Sequence, residues 1–242
     1  MTPEDLVKNA CPKIGSLGAA FYFIPETTGR GKEHGLDGFR FYFLGRGGVL
    51  GDVDATVIQS AFGYFEAAMV AKMWNSARDK MSPRDAATLY FDCAAELGRR
   101  KFASIANLAS FCAAAEKVVA AAHPASLALF AGIAAEPLAE DLPGRSMQLT
   151  AVLREFRGSA HLTAVVASGL APSLAHAIKR PNDVATFGYP EAPTIHDADR
   201  AKLDAAERLT DAIVLGAYGV LNAEEADALM AGVTAMEAAL AS

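Results

Sequence analysis

Residues 149–170 read LTAVLREFRGSAHLTAVVASGL, and the spacing of charge and apolar bulk along them decides the fold. At about 100° per residue, Leu149, Val152, Leu153, Phe156 and Ala160 share one helical face. Arg154, Arg157 and His161 line the neighbouring stripe, with Gly158 between them. From His161 onward, Leu162, Val165 and Val166 make the helix apolar on nearly every side. Such a helix belongs in a core, so the cationic stripe is expected to point into the protein. Buried cations need partners, and Glu155, Glu26 and Glu66 are the carboxylates available. Gly158 costs about 1 kcal/mol relative to Ala in a helix interior, which predicts that a backbone or a ligand comes close there.

The flanking sequence repeats the helical pattern. Thr2-Pro3-Glu4-Asp5 opens a helix expected to run towards Phe21-Tyr22-Phe23 with a bend near Pro12. Pro25-Glu26 opens a short one that ends near Gly35. GFRFYFLGRGGVL, residues 38–50, fits a strand and turn, but Phe39, Tyr42, Phe43 and Arg46 favour a helix ending at the glycines. Asp54 starts a stretch containing Phe62, Phe65, Met69 and Met73, and Ser82-Pro83-Arg84-Asp85 is a clear helix start. Alanine-rich helices are expected over 104–122 and 125–135, a long helix over about 146–168, a short one to about 178, and closing helices over 197–216 and 222–240. Asn222 and Glu225 stand at capping-box spacing in the last. The prolines and glycine between Glu136 and Arg145 mark the best internal boundary, dividing a region 1–145 from a region 146–242 unless both form one compact domain. The prediction is an all-α, multi-helix globular core around a long buried helix, with a C-terminal helical hairpin.

Composition narrows the function. The 242 residues are 52 % hydrophobic but only 8 % aromatic, a balance that favours helices packed through small side chains. Net charge is −6, and residues 146–242 hold twelve acidic against seven basic side chains. That excess repels phosphate backbones, so nucleic acid is a disfavoured partner. The polar N-terminus is not a signal peptide, and the apolar runs are too short for a bilayer, so no membrane is expected and the cytoplasm is the simplest address. Cys11, Cys93 and Cys112 form no CxxC pair and read as small buried hydrophobes in a reducing compartment. Leu229, Val233, Met236 and Leu240 need a covering surface, from the same chain or from a second copy; the expectation is a homodimer.

No HExxH, GxSxG or Cys–His spacing is present, GRGG lacks a preceding strand, and the sequence names neither a cofactor nor a metal. Aromatic segments FYFIPE and FYFLGRGG, beside Glu26 and Arg46, suit either a polar-floored pocket or a core with a salt bridge. The expected site is a pocket for a small polar or anionic ligand. Arg154 and Arg157 hold the anionic group, His161 donates or accepts a hydrogen bond, Tyr22, Tyr42 and Phe156 form the walls, and Arg46 is a further ligand-binding residue. The alternative is an enzyme with His161 as general acid or base, oriented by Glu26 or Glu155.

FYFIPE, GFRFYFLGRGGVLG and LREFRGSAH resemble motifs of an actinobacterial family classed as helix-turn-helix proteins, over about residues 14–178. Tyr22, Pro25, Glu26, Gly45, Arg46, Leu50, Gly51, Arg154, Glu155, Arg157, Gly158 and His161 match. Phe156 and Ser159 depart from the family's His and Asp. The resemblance implies a fold rather than a reaction, and a transcriptional regulator as a third reading. Family members carry a winged helix-turn-helix before the last helix; the short, proline-rich, acidic stretch after His176 leaves little room for a DNA-reading helix.

Overall fold

In the computed structural model, which describes residues 1–242, twelve helices and three one-turn 3-10 segments make up the chain, with 74 % helix and no strand. The first six are α1 (Pro3–Leu17), α2 (Pro25–Glu33), α3 (Gly38–Gly47), α4 (Ala55–Phe62), α5 (Ala67–Arg78) and α6 (Pro83–Lys101). Then come α7 (Leu108–Ala121), α8 (Ala128–Ala134), α9 (Leu142–Ala167), α10 (Pro172–Lys179), α11 (Asp197–Tyr218) and α12 (Ala223–Ala241). Short polar side chains start several of them. Thr2, Asp37, Ser82 and Asp141 each accept a hydrogen bond from the backbone N–H three residues on, and Asn222 and Glu225 close the expected capping box.

Helix α9 is the axis of the assembly, packed by α1, α6, α7, α8 and α11. Its residues from Ser146 to Leu153 are all buried, whatever face they occupy. One core runs without a break from Leu6 on α1 to Met236 on α12 and takes residues from both sides of the 136–145 segment. The expectation for the C-terminal end of the helix holds only in part: Val165 is fully buried, but Leu162 is half-buried and Val166 is 61 % exposed. The all-round burial lies before Arg154, because the surrounding helices meet there, whereas Gly169 (φ 67°) turns the chain away after Ala167.

Two other expectations need correction. Helix α1 stops at Leu17, and residues 18–23 fold as turns that carry Phe21 and Tyr22 back into the core. The stretch after Asp54 is two helices, since Gly63 takes a left-handed φ of 52° and ends α4 before Glu66 caps α5. Helix α12 lays Leu229, Val233 and Met236 against α1 and α7, so the same chain supplies their cover. Its turn-mate α11 also packs on α1 and α7. The 180–196 segment is anchored by Phe187, whose ring lies 4.1 Å from Phe65 and 3.6 Å from His176. No single helix is long and apolar enough to cross a membrane.

Candidate ion-pair site

Of three consecutive side chains of α9, Arg154 and Glu155 enter one polar cluster and Phe156 enters the core. Phe156 is 1 % exposed and packs on Phe130 with ring centroids 4.9 Å apart. It lies about 200° around the helix from Arg154, so it is a core residue and not a wall beside the arginines. Glu155 faces α3 and the 18–23 turn, where it is 2 % exposed and fully engaged. Its Oε1 accepts from Arg46 Nε (2.9 Å), Tyr22 Oη (3.0 Å) and Arg154 (2.7 Å), and its Oε2 from Arg46 (2.8 Å). Arg46 also donates to Tyr42 Oη at 3.0 Å and lies over the Phe62 ring at 4.5 Å. Arg154 lies over the Tyr22 ring at 4.9 Å, and its buried Nε has no partner.

Local structure explains the convergence. Arg46 sits in the last turn of α3, whose glycines let the helix lie close to its neighbours; a Cβ on Gly45 would fall 2.4 Å from Tyr90. Gly18 does the same for Arg154, whose Cβ stands 2.7 Å from where a side chain at position 18 would begin. Burial pushes the Glu155 carboxyl up, but Arg46, Arg154 and the bonds from Arg46 and Tyr22 outweigh it and hold the group at about 2. Burial likewise drives the Tyr22 phenol well above its usual range. Glu155 is therefore a permanent carboxylate. Two guanidiniums share it, and the cluster keeps one uncompensated positive charge.

One turn further on, Arg157 and His161 face α11. Arg157 donates to Glu207 (3.2 Å) and Asp211 (2.9 Å), while its buried Nε has no partner. Lys179 of α10 also pairs with Glu207. His161 Nδ1 is 2.9 Å from Thr210 Oγ1, which donates its own hydrogen to the Ala206 carbonyl at 2.7 Å. The hydroxyl has one proton to give, so it accepts from Nδ1–H. Burial lowers the imidazole to about 4 despite the opposing pull of Glu207, so the ring is neutral at pH 7. Its Nε2 is then an open acceptor, 3.7 Å from Glu207 Oε1. The ring of Tyr64 lies nearly parallel to it at 6.4 Å, with a buried hydroxyl that has no partner.

The expected site residues thus fall into separate groups. Tyr22, Tyr42, Arg46, Arg154 and Glu155 are brought together, and Arg157 and His161 form a second cluster. Neither Glu155 nor Glu26 orients His161; Thr210 does, because α11 lies along that stripe of α9. Glu26 is half exposed and pairs with Arg100, and Glu66 is spent on the α5 cap. Gly158 meets nothing within 4 Å, so no backbone comes close to it. Sequence reading missed Tyr64, Lys179, Glu207, Thr210 and Asp211. Glu207, Thr210 and Asp211, at i, i+3 and i+4, carried a usable signal: an acidic stripe matching the cationic one on α9. Tyr64 carried none.

This geometry defines an all-helical protein with two polar clusters on one central helix. The model of a helix-turn-helix family matches residues 8–192, and the chain belongs to that family. No curated protein and no solved structure matches it.

Proposed function

We propose that the protein is a ligand-binding, sensor-like member of this family, with the Arg46–Glu155–Arg154 cluster as the seat of a small anionic ligand. The observation that carries the reading is the shared carboxylate. Two guanidiniums, 14 % and 24 % exposed, have only Glu155 between them. Arg46 is committed to Glu155 through two parallel bonds, whereas Arg154 gives one bond and keeps an Nε without an acceptor. A carboxylate or phosphate at Arg154 would neutralise the surplus charge and satisfy that donor. Tyr22 and Tyr42 supply aromatic walls.

The test is thermal unfolding with inorganic phosphate, citrate or benzoate, against chloride at equal ionic strength. At least one anion should raise the Tm of the wild type and leave Arg154→Gln unmoved. Equal shifts in both proteins, or none in either, reject the reading. A second reading, an enzyme, draws on the open Nε2 of His161 beside the unpartnered Tyr64 hydroxyl. Its mark is pH-dependent turnover of a chromogenic ester or phosphoester that disappears in His161→Ala.

A further inference from the structure

Gly158 stands in the interior of α9, where glycine costs about 1 kcal/mol against alanine. Glycine inside a helix marks a place where another backbone or a ligand lies close. No backbone does so here: a Cβ built at Gly158 meets nothing within 4 Å, and the position is half-buried. The hollow has a defined rim. On a helix surface the neighbours of position 158 are 154, 155, 161 and 162, so Arg154 and Glu155 stand at one end and His161 and Leu162 at the other. The Gly63–Tyr64 turn closes the second end. A Cβ at Gly63 would fall 2.4 Å from Leu162, and the Tyr64 ring stacks on His161.

Polar atoms around this hollow lack partners. Arg154 Nε and Tyr64 Oη are both buried and bonded to nothing. Neutral His161 sets its Nε2 3.7 Å from Glu207 Oε1, an acceptor facing an acceptor with no proton between them. Burial raises the Tyr64 phenol, Glu207 adds to the rise, and Arg46 and Arg157 oppose it. The hydroxyl therefore keeps its proton, and it lies within the field of both clusters. One end of the hollow thus has a surplus positive charge, the other a hydrogen-bond donor and an acceptor, and Leu162 adds apolar surface.

We infer that the ligand is a hydroxy acid lying over Gly158, with its carboxylate on Arg154 and its hydroxyl between His161 Nε2 and Tyr64 Oη. This rests on the anionic seat proposed above and adds the other end of the ligand. Residues 154 and 161 are about 10 Å apart along the axis, the reach of an aromatic ring with a short acid chain. The experiment is calorimetric titration with para-hydroxybenzoate and para-hydroxyphenylpropanoate, each beside its deoxy parent, benzoate or phenylpropanoate. A further probe, para-hydroxybenzyl alcohol, lacks the carboxylate. Wild type should bind at least one hydroxy acid about tenfold more tightly than its parent and ignore the alcohol. Tyr64→Phe, which removes a hydroxyl bonded to nothing, should bring the hydroxy acid down to its parent. Gly158→Leu, which fills the hollow, should fold and bind neither. If it does not fold, Tyr64→Phe decides. Acids that bind through Arg154 with parents as tight as hydroxy acids, or with Tyr64→Phe or folded Gly158→Leu like wild type, overturn this inference and leave the anionic seat standing. No binding of any acid, or binding unchanged in Arg154→Gln, overturns both.

Discussion

Glu155 and Arg157 are two residues apart on α9, yet they should respond very differently to loss of their charge. Glu155→Gln leaves the buried guanidiniums of Arg46 and Arg154 without a counter-charge, and removal of one partner from such a pair costs about 3–5 kcal/mol. Arg157→Ala strands only Glu207 and Asp211, which are 29 % and 47 % exposed and can take water instead. Chemical denaturation should therefore find Glu155→Gln near the limit of folding and Arg157→Ala close to wild type. Equal losses would contradict the geometry. Acid should act in two stages. Between pH 6.5 and about 4 the unfolded chain takes up a proton that folded His161 refuses, so stability falls as pH falls across that window. The loss is on the order of 3 kcal/mol, with a smaller share from His176, whose imidazole is also lowered. Below about 4.5, protonation of Glu155 in the unfolded chain removes stability down to about pH 2. Denaturant midpoints measured against pH should show His161→Asn losing much of the first slope and keeping the second.

Helices were legible because their starts are local chemistry. A Ser, Thr, Asp or Asn three residues before an N–H that needs an acceptor is a signal any reader of the sequence can find. Their ends were less so: α1 stops where Gly18 must admit Arg154, a residue 136 positions away along the chain. The partners of the α9 stripe were illegible for the same reason, since only the packing of α11 chooses Thr210 and Glu207 over Glu26. The pairing of Glu155 with Arg46 and Arg154 was within reach because all three lie in the motifs that stood out. Glycines separate the two kinds of information. At Gly48, in the 3-10 turn that follows α3, a Cβ would stand 1.9 Å from the Pro83 carbonyl, so Gly48→Ala must drive that turn from α6 and cost several kcal/mol, about what overpacking costs at its worst. Gly158 has open space around it, so Gly158→Ala should add up to about 1 kcal/mol of stability. Thermal melts of the two variants should move in opposite directions.

The main core has no seam at the 136–145 segment. It joins Leu6 to Met236 and passes through α9 in the middle, so each side leaves most of its apolar surface for the other to cover. Only a six-residue cluster around Ala164, Val165 and Leu203 is built from the C-terminal side alone. Residues 1–141 and 142–242 expressed separately should each fail to give a cooperative melt, and a sharp transition in either would reveal an independent unit. The acidic excess of residues 146–242 further predicts no salt-sensitive, nanomolar binding of duplex DNA in a mobility-shift assay at physiological salt. The shared carboxylate also sets a schedule for synthesis. Glu155 follows Arg46 out of the ribosome 109 residues later, so Arg46 emerges well before the carboxylate that will receive it. Through that interval the guanidinium stays hydrated, and the aromatic side chains destined to enclose it stay exposed. The nascent chain must wait for α9, so its hazard is aggregation during translation, and holding chaperones should raise its yield more than any folding accelerator.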